Sequence, residues 1–128
     1  RRRFVFCKKG RGRLLVRDIL TGAGRHRCEF LFHAAPFADV RRRSDGFLLR
    51  RPDGAACTLV LPPSASISTA LEEGWYSPEY GARMPSRVIR LSIETHLPFT
   101  FTFQVIRGGE PSGGPPPEML LLGKDRDA

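Results

Sequence analysis

The sequence predicts an all-β protein, an antiparallel two-sheet β-sandwich of about eight or nine strands. Three observations carry this. The 128 residues include 13 glycines and 11 prolines, so the longest run free of both is the twelve residues Ser86–Leu97, and long helices have no room. Apolar and polar residues alternate with a period of two in several stretches, the mark of a half-buried strand. Turn-forming Gly-x-Gly and Asp-Gly sequences separate these stretches at roughly 8- to 12-residue spacing. A hydrophobic content of 41% is too high for a disordered chain and suits one domain with a modest core.

Taken in order, Lys9-Gly10-Arg11-Gly12 reads as a turn ahead of a β-rich stretch from Arg13 to Leu20. Thr21-Gly22-Ala23-Gly24 is a second turn, because two glycines supply positive φ without a Cβ clash. His26, Cys28, Phe30 and Phe32 then alternate with Arg25, Arg27 and Glu29. Ser44-Asp45-Gly46 and Pro52-Asp53-Gly54 are hairpin turns, and Ala55 to Leu61 is β-rich. Ala65, Ile67 and Leu71 alternate more weakly with Ser66 and Ser68. Glu72 to Pro85 reads as an aromatic loop holding Trp75, Tyr76 and Tyr80. Ile89, Leu91 and Ile93 form a strand face, with Val88 out of phase, and a turn follows over Glu94 to Pro98. Phe99, Phe101, Phe103 and Val105 alternate cleanly with Thr100, Thr102 and Gln104. The sandwich domain is therefore expected over residues 1 to 106. Residues 107 to 118 (RGGEPSGGPPPE) form a Pro/Gly-rich linker, and 119 to 128 a short tail with the apolar Met119 to Leu122.

Charge is divided unevenly. The net charge is +8, but residues 1 to 51 hold 15 basic and 4 acidic residues, a net of +11. Residues 52 to 128 hold 6 basic and 9 acidic residues, a net of −3. The first half is suited to attract a polyanion. Of the cations 18 are arginine and 3 lysine, and the arginine fork matches carboxylate, sulfate and phosphate groups. Nucleic acid is disfavoured as that polyanion, because aromatic residues are not interleaved with the arginines. No stretch approaches the roughly 18 apolar residues of a membrane span, so no membrane partner is expected. The chain begins at Arg1-Arg2-Arg3 without a methionine, which reads as a piece of a longer protein.

No catalytic constellation emerges. His26, His33 and His96 do not stand at metal-ligand spacing with one another or with Cys7, Cys28 and Cys57, so neither a metal nor another cofactor is expected in this chain. His26 is expected to be half-buried in packing. The cysteines read as free buried thiols, with one disulfide as the alternative. The candidate contact residues are Trp75, Tyr76 and Tyr80, whose flat rings stack on sugars or bases, and Arg41, Arg42 and Arg43 as anion contacts. Two readings of the aromatic loop stand: a tryptophan plug that closes over its own sheet or seals an interface within the parent protein, or an exposed stacking platform.

Gly74-Trp75-Tyr76-Ser77-Pro78-x-Tyr80-Gly81, following Leu71-Glu72-Glu73, resembles a loop in the C-terminal β-sandwich of the heparinase II/III-like proteins. Arg1-Arg2-Arg3-Phe4-Val5-Phe6 with Leu14-Leu15-Val16-Arg17-Asp18 resembles that family's strand pair. Gly24 through Phe32, ending in His33-Ala34-Ala35-Pro36, resembles its next strand and His-x-x-Pro corner. The resemblance covers roughly residues 1 to 106. It implies a polysaccharide lyase parent that acts on heparin-type glycosaminoglycans or alginate by β-elimination. It also implies an upstream α/α toroid carrying the catalytic Asn/His and Tyr, zinc ligands early in the sandwich region, and a periplasmic or secreted setting. All of those residues lie upstream of the matched region, and no position here corresponds to them. The expected function is thus a non-catalytic C-terminal sandwich that supports the parent and binds acidic polysaccharide. The alternative is a stand-alone carbohydrate-binding module with an aromatic stacking loop.

Overall fold

The structure, a computed structural model, describes residues 1–8, 10, 12–62 and 66–108. The predicted linker beyond Gly108, the tail, Ala65 and part of the Lys9–Gly12 turn lie outside the described residues. Among the described residues there is no helix, and seven antiparallel strands form one hydrogen-bonded sheet. They are β1 (Arg2–Cys7), β2 (Arg13–His33), β3 (Asp39–Arg43), β4 (Gly46–Arg50), β5 (Ala56–Val60), β6 (Ser68–Tyr76) and β7 (Met84–Arg107). The order is β1-β2-β7-β5-β4-β3, with β6 also paired to β7.

Two strands are unusually long, 21 residues for β2 and 24 for β7, and each replaces two expected strands. Their pairing runs from Arg13↔Ile106 to Leu20↔Phe99, shifts, and resumes from Gly24↔Leu97 to His33↔Val88. Glycine and proline mark the shift. Gly22 has φ 136°, and a Cβ there would stand 3.1 Å from Leu97 Cδ1. Pro98 on the facing strand has no N–H to give the ladder. Beyond the shift the neighbours change: the late part of β7 is flanked by β2 and β5, the early part by β2 and β6. The sheet therefore has a six-strand half and a three-strand half. Seven strands thus stand where about eight or nine were expected, because β2 and β7 each run through a predicted turn.

The two halves turn their apolar faces to each other. Phe30, on the late part of β2, meets Phe101 and Phe103, on the late part of β7, at centroid distances of 4.6 and 5.4 Å. Phe32 meets Phe103 at 5.2 Å. These edge-to-face contacts span the halves, because Phe30 pairs in the sheet with Leu91 and not with either partner ring. Val16, Phe47, Leu59, Ile89, Leu91 and Ile93 complete the buried cluster. The two expected layers are thus halves of one continuous sheet.

Polar contacts fasten the margins. Arg2 on β1 grips the nearly buried Asp18 carboxylate with two hydrogen bonds, 2.5 and 2.7 Å, and lies 5.7 Å from the Phe32 ring centroid. Arg42 on β3 reaches across to donate to Thr69 Oγ1 on β6. The Asp45-Gly46 hairpin admits no side chain at position 46, since a Cβ would fall 1.9 Å from the Leu59 carbonyl oxygen. In the next turn Asp53 accepts from Arg51 Nε (3.3 Å) and from the Ala55 amide (3.0 Å).

Phe103→Ala is expected to destabilise the domain by about 3–5 kcal/mol in urea unfolding, against less than about 1 kcal/mol for the exposed Phe4. A cost below about 1 kcal/mol for Phe103 would contradict the ring-packed interior. The hydrogen bonds from Arg51, then from Ala55, lower the Asp53 carboxyl from 3.8 to about 2. Its contribution to stability is present above pH 3.8 and lost as pH falls through about 2. An NMR titration of Asp53 should show that low midpoint, and an ordinary carboxylate midpoint would refute the contact.

Candidate functional site

Strand β6 carries the candidate aromatic residues. It extends through Trp75 and Tyr76, and β7 begins at Met84, so the predicted 14-residue loop shortens to residues 77–83. Trp75 pairs with Pro85 and Tyr76 with Met84 across this hairpin. Successive strand residues point to opposite faces, so the two rings do not form one flat platform. Trp75 is 60% exposed, Tyr76 is 47% exposed, and Tyr80 stands fully in solvent at the tip. The tryptophan does not plug its own sheet. Its ring carries the Arg83 guanidinium 4.1 Å from the centroid, a cation–π arrangement between the strand end and the start of the returning chain.

The three adjacent arginines of β3 are placed differently. Arg41 binds Asp39 at 2.8 Å, and Arg43 stands 3.9 Å from Asp45. Arg42 lies on the opposite face, 5.6 Å from the Phe47 ring centroid, with its guanidinium on Thr69 Oγ1 and carbonyl oxygen. Thr69 and Trp75 are six residues apart on β6, roughly 20 Å along an extended strand. Arg42 and the Trp75–Arg83 pair therefore mark the two ends of one strand, and the six candidates are not a single cluster.

Much of the remaining charge is matched across the three-strand half. Arg90 on β7 donates to Glu72 on β6 (3.0–3.1 Å) and to Glu29 on β2, contacts that raise its pKa, Glu72 first. Arg25 meets Glu94 at 3.0 Å. Such exposed pairs add little stability, but they neutralise this face locally. In contrast, Lys8, Arg50, Arg87 and Arg107 have no carboxylate partner among the described residues.

His26 is exposed, with Nε2 2.8 Å from the Ala23 carbonyl oxygen, and not half-buried as its alternation suggested. It lies just past the shift, where regular pairing, here with Thr95, has resumed. His33 and His96 are also exposed, at a strand end and near the shift. All three cysteines are free; Cys28 is buried, and burial pushes the half-buried Cys57 thiol upward. No three His, Cys, Asp or Glu side chains gather into a metal-binding group among the described residues. No described helix is long and apolar enough to cross a membrane. Arg83 was absent from the sequence candidates; its position just past the aromatic tip, on a returning hairpin arm, was the available signal.

A family model described as "Heparinase II/III-like, C-terminal" matches residues 1–114. No curated protein and no solved structure matches the chain.

Because Trp75 is 60% exposed, with the Arg83 guanidinium on its ring, Trp75→Ala should change stability by no more than about 1 kcal/mol. Chemical denaturation tests this, and a loss of about 3 kcal/mol or more would show a buried anchor.

Proposed function

The chain belongs to the heparinase II/III-like C-terminal family, and from that membership we propose that it is the non-catalytic β-sandwich of a polysaccharide lyase, which supports its parent and holds acidic polysaccharide. The observation that carries the binding role is the Trp75–Arg83 pair. An exposed indole offers a flat apolar surface to a sugar ring, and the guanidinium beside it offers a partner for a carboxylate or sulfate. A bare aromatic platform would suit neutral sugars equally, whereas a ring with a cation on it favours acidic ones.

The chain of sugars runs along β6. Trp75, Arg83 and Tyr80 engage it at the hairpin end, with Tyr76 on the opposite face steadying the turn. Arg42 lies at the other end, roughly 20 Å away, a span of several sugar units. Arg41 and Arg43, each beside a carboxylate, contribute to the field more than to direct contact. The +11 charge of residues 1 to 51 raises the local concentration of a polyanion and speeds its encounter with the domain. Proton abstraction and leaving-group protonation belong to the upstream toroid. The domain's partners are therefore the polysaccharide and that toroid, and zinc, where the parent carries it, is bound upstream of Arg1.

The exposed hairpin also fits a stand-alone carbohydrate-binding module. The two readings part on coupling: a supporting domain stabilises the toroid it adjoins, and an independent module leaves toroid stability unchanged.

Immobilised heparin should retain the domain at low ionic strength and release it as salt is raised, because exposed charge contacts are screened. Trp75→Ala and Arg83→Gln should each elute at lower salt. Absence of retention at low salt would remove the binding role. Incubation with heparin or alginate should produce no unsaturated uronate absorbance, and a clear signal would place catalytic groups in this chain.

A further inference from the structure

The six-strand half is wider than the three-strand half that faces it. The uncovered part lies at β1, where Phe4 and Phe6 are exposed although both project from the same face as the buried Val16. Register explains this: Phe4 pairs with Val16, Phe6 with Leu14, and Leu14 with Val105, so one apolar row continues from the interior onto the open edge. At the end of that row is a pocket of about 310 Å³, within the size range of small-ligand sites. Its floor and one side are Phe6, Leu14, Cys57 and Val105, and Lys8 and Arg107 bring two cations to it. Gly10 and Gly12 also line it. Among the described residues, no Asp or Glu lines it.

This combination is selective. A purely apolar ligand would leave two cations beside it without a counter-charge. A bare anion would gain nothing from a phenylalanine ring that is 61% exposed. The arrangement suits a compact ring with one apolar face and one negative group. Its position matters as well: none of Trp75, Tyr76, Tyr80 and Arg83 lines it, so it is distinct from the Trp75 hairpin.

We propose that the pocket formed by Phe6, Leu14, Val105, Lys8 and Arg107 is a second acidic-sugar subsite, in which one uronate ring stacks on Phe6 and its carboxylate lies against Lys8 and Arg107. This rests on the acidic-polysaccharide reading and adds a place of contact that the aromatic hairpin does not include. The side chain of Cys57 stays a protonated thiol and serves as part of the floor.

The test is calorimetric titration of the full 128-residue chain with an alginate-derived mannuronate tetrasaccharide, beside a neutral glucose tetrasaccharide. The variants are Phe6→Ser, Arg107→Gln and Trp75→Ala. Phe6→Ser and Arg107→Gln replace exposed side chains, and unchanged thermal unfolding of either one keeps the test interpretable. Each should weaken tetrasaccharide binding by roughly tenfold, the loss of one charge-assisted or stacking contact. Phe6→Ser should also abolish the chemical-shift changes of Val105 and Leu14 on ligand addition. If the chain binds and only Trp75→Ala weakens it, the pocket is not a subsite while the acidic-polysaccharide reading stands. If the neutral tetrasaccharide binds equally well, the acidic class is wrong. If nothing binds, both proposals fall.

Discussion

The whole molecule depends on the continuous pairing of β2 with β7 and on its single interruption near Gly22 and Pro98. Without that interruption the two strands would form a flat ribbon, and the apolar faces of its ends would stay in water. With it, the ribbon folds over and Phe30 comes to rest on Phe101 and Phe103. Every other strand is attached to one end of this pair. β1 joins the early part of β2, β5 carries β4 and β3 onto the late part of β7, and β6 joins the early part of β7. The unequal division, six strands against three, follows directly. It explains why Phe47 and Val40 are covered on one side, while Phe4 and Phe6 are open on the other.

The same division organises the charge. On the three-strand half, Glu29 and Glu72 are balanced by Arg90 and Arg27, and Arg25 is matched by Glu94. The β3 arginines are each engaged locally. Arg41 and Arg43 stand beside aspartates, and Arg42 ties the two halves together. Cations without such partners include Arg83 on the indole and Lys8 and Arg107 at the β1 edge. A net positive field thus surrounds the domain, and at these points a cation stands beside an exposed aromatic ring. That juxtaposition, more than the arginine count, is what the proposed preference for acidic sugars over neutral sugars and simple anions rests on.

Much of this was legible in the sequence. The strict alternation of Phe99, Phe101, Phe103 and Val105 marked a strand with one buried face, and the Asp-Gly turns fell where hairpins occur. The family motif around Gly74-Trp75-Tyr76 led to the family that the chain joins. Continuity was not legible: the two-glycine turn and Pro98 both read as chain reversals, yet each lies inside a long bent strand. Local turn chemistry cannot distinguish a bend from a reversal, because pairing with a distant partner decides it. Exposure was equally hidden. Phe4 alternates like a core residue and is open because its strand lies at an edge; Trp75 looks like an anchor and is open because its strand ends in a hairpin. His26 has the phase of a packed face but lies two residues past the shift, paired with Thr95, and is exposed.

The proposal is that acidic sugar binds where an aromatic ring and a cation stand together, and that the domain does no chemistry itself. Amide chemical-shift mapping of the intact chain with a defined heparin-derived hexasaccharide tests this most directly. Salt-sensitive perturbations should centre on Trp75, Arg83, Lys8 and Arg107, with little change at Glu29, Ser92 and Glu94 and an unaltered ligand spectrum after prolonged incubation. Perturbations centred on the Glu29–Arg90–Glu72 face, or new olefinic uronate signals from the ligand, would contradict it.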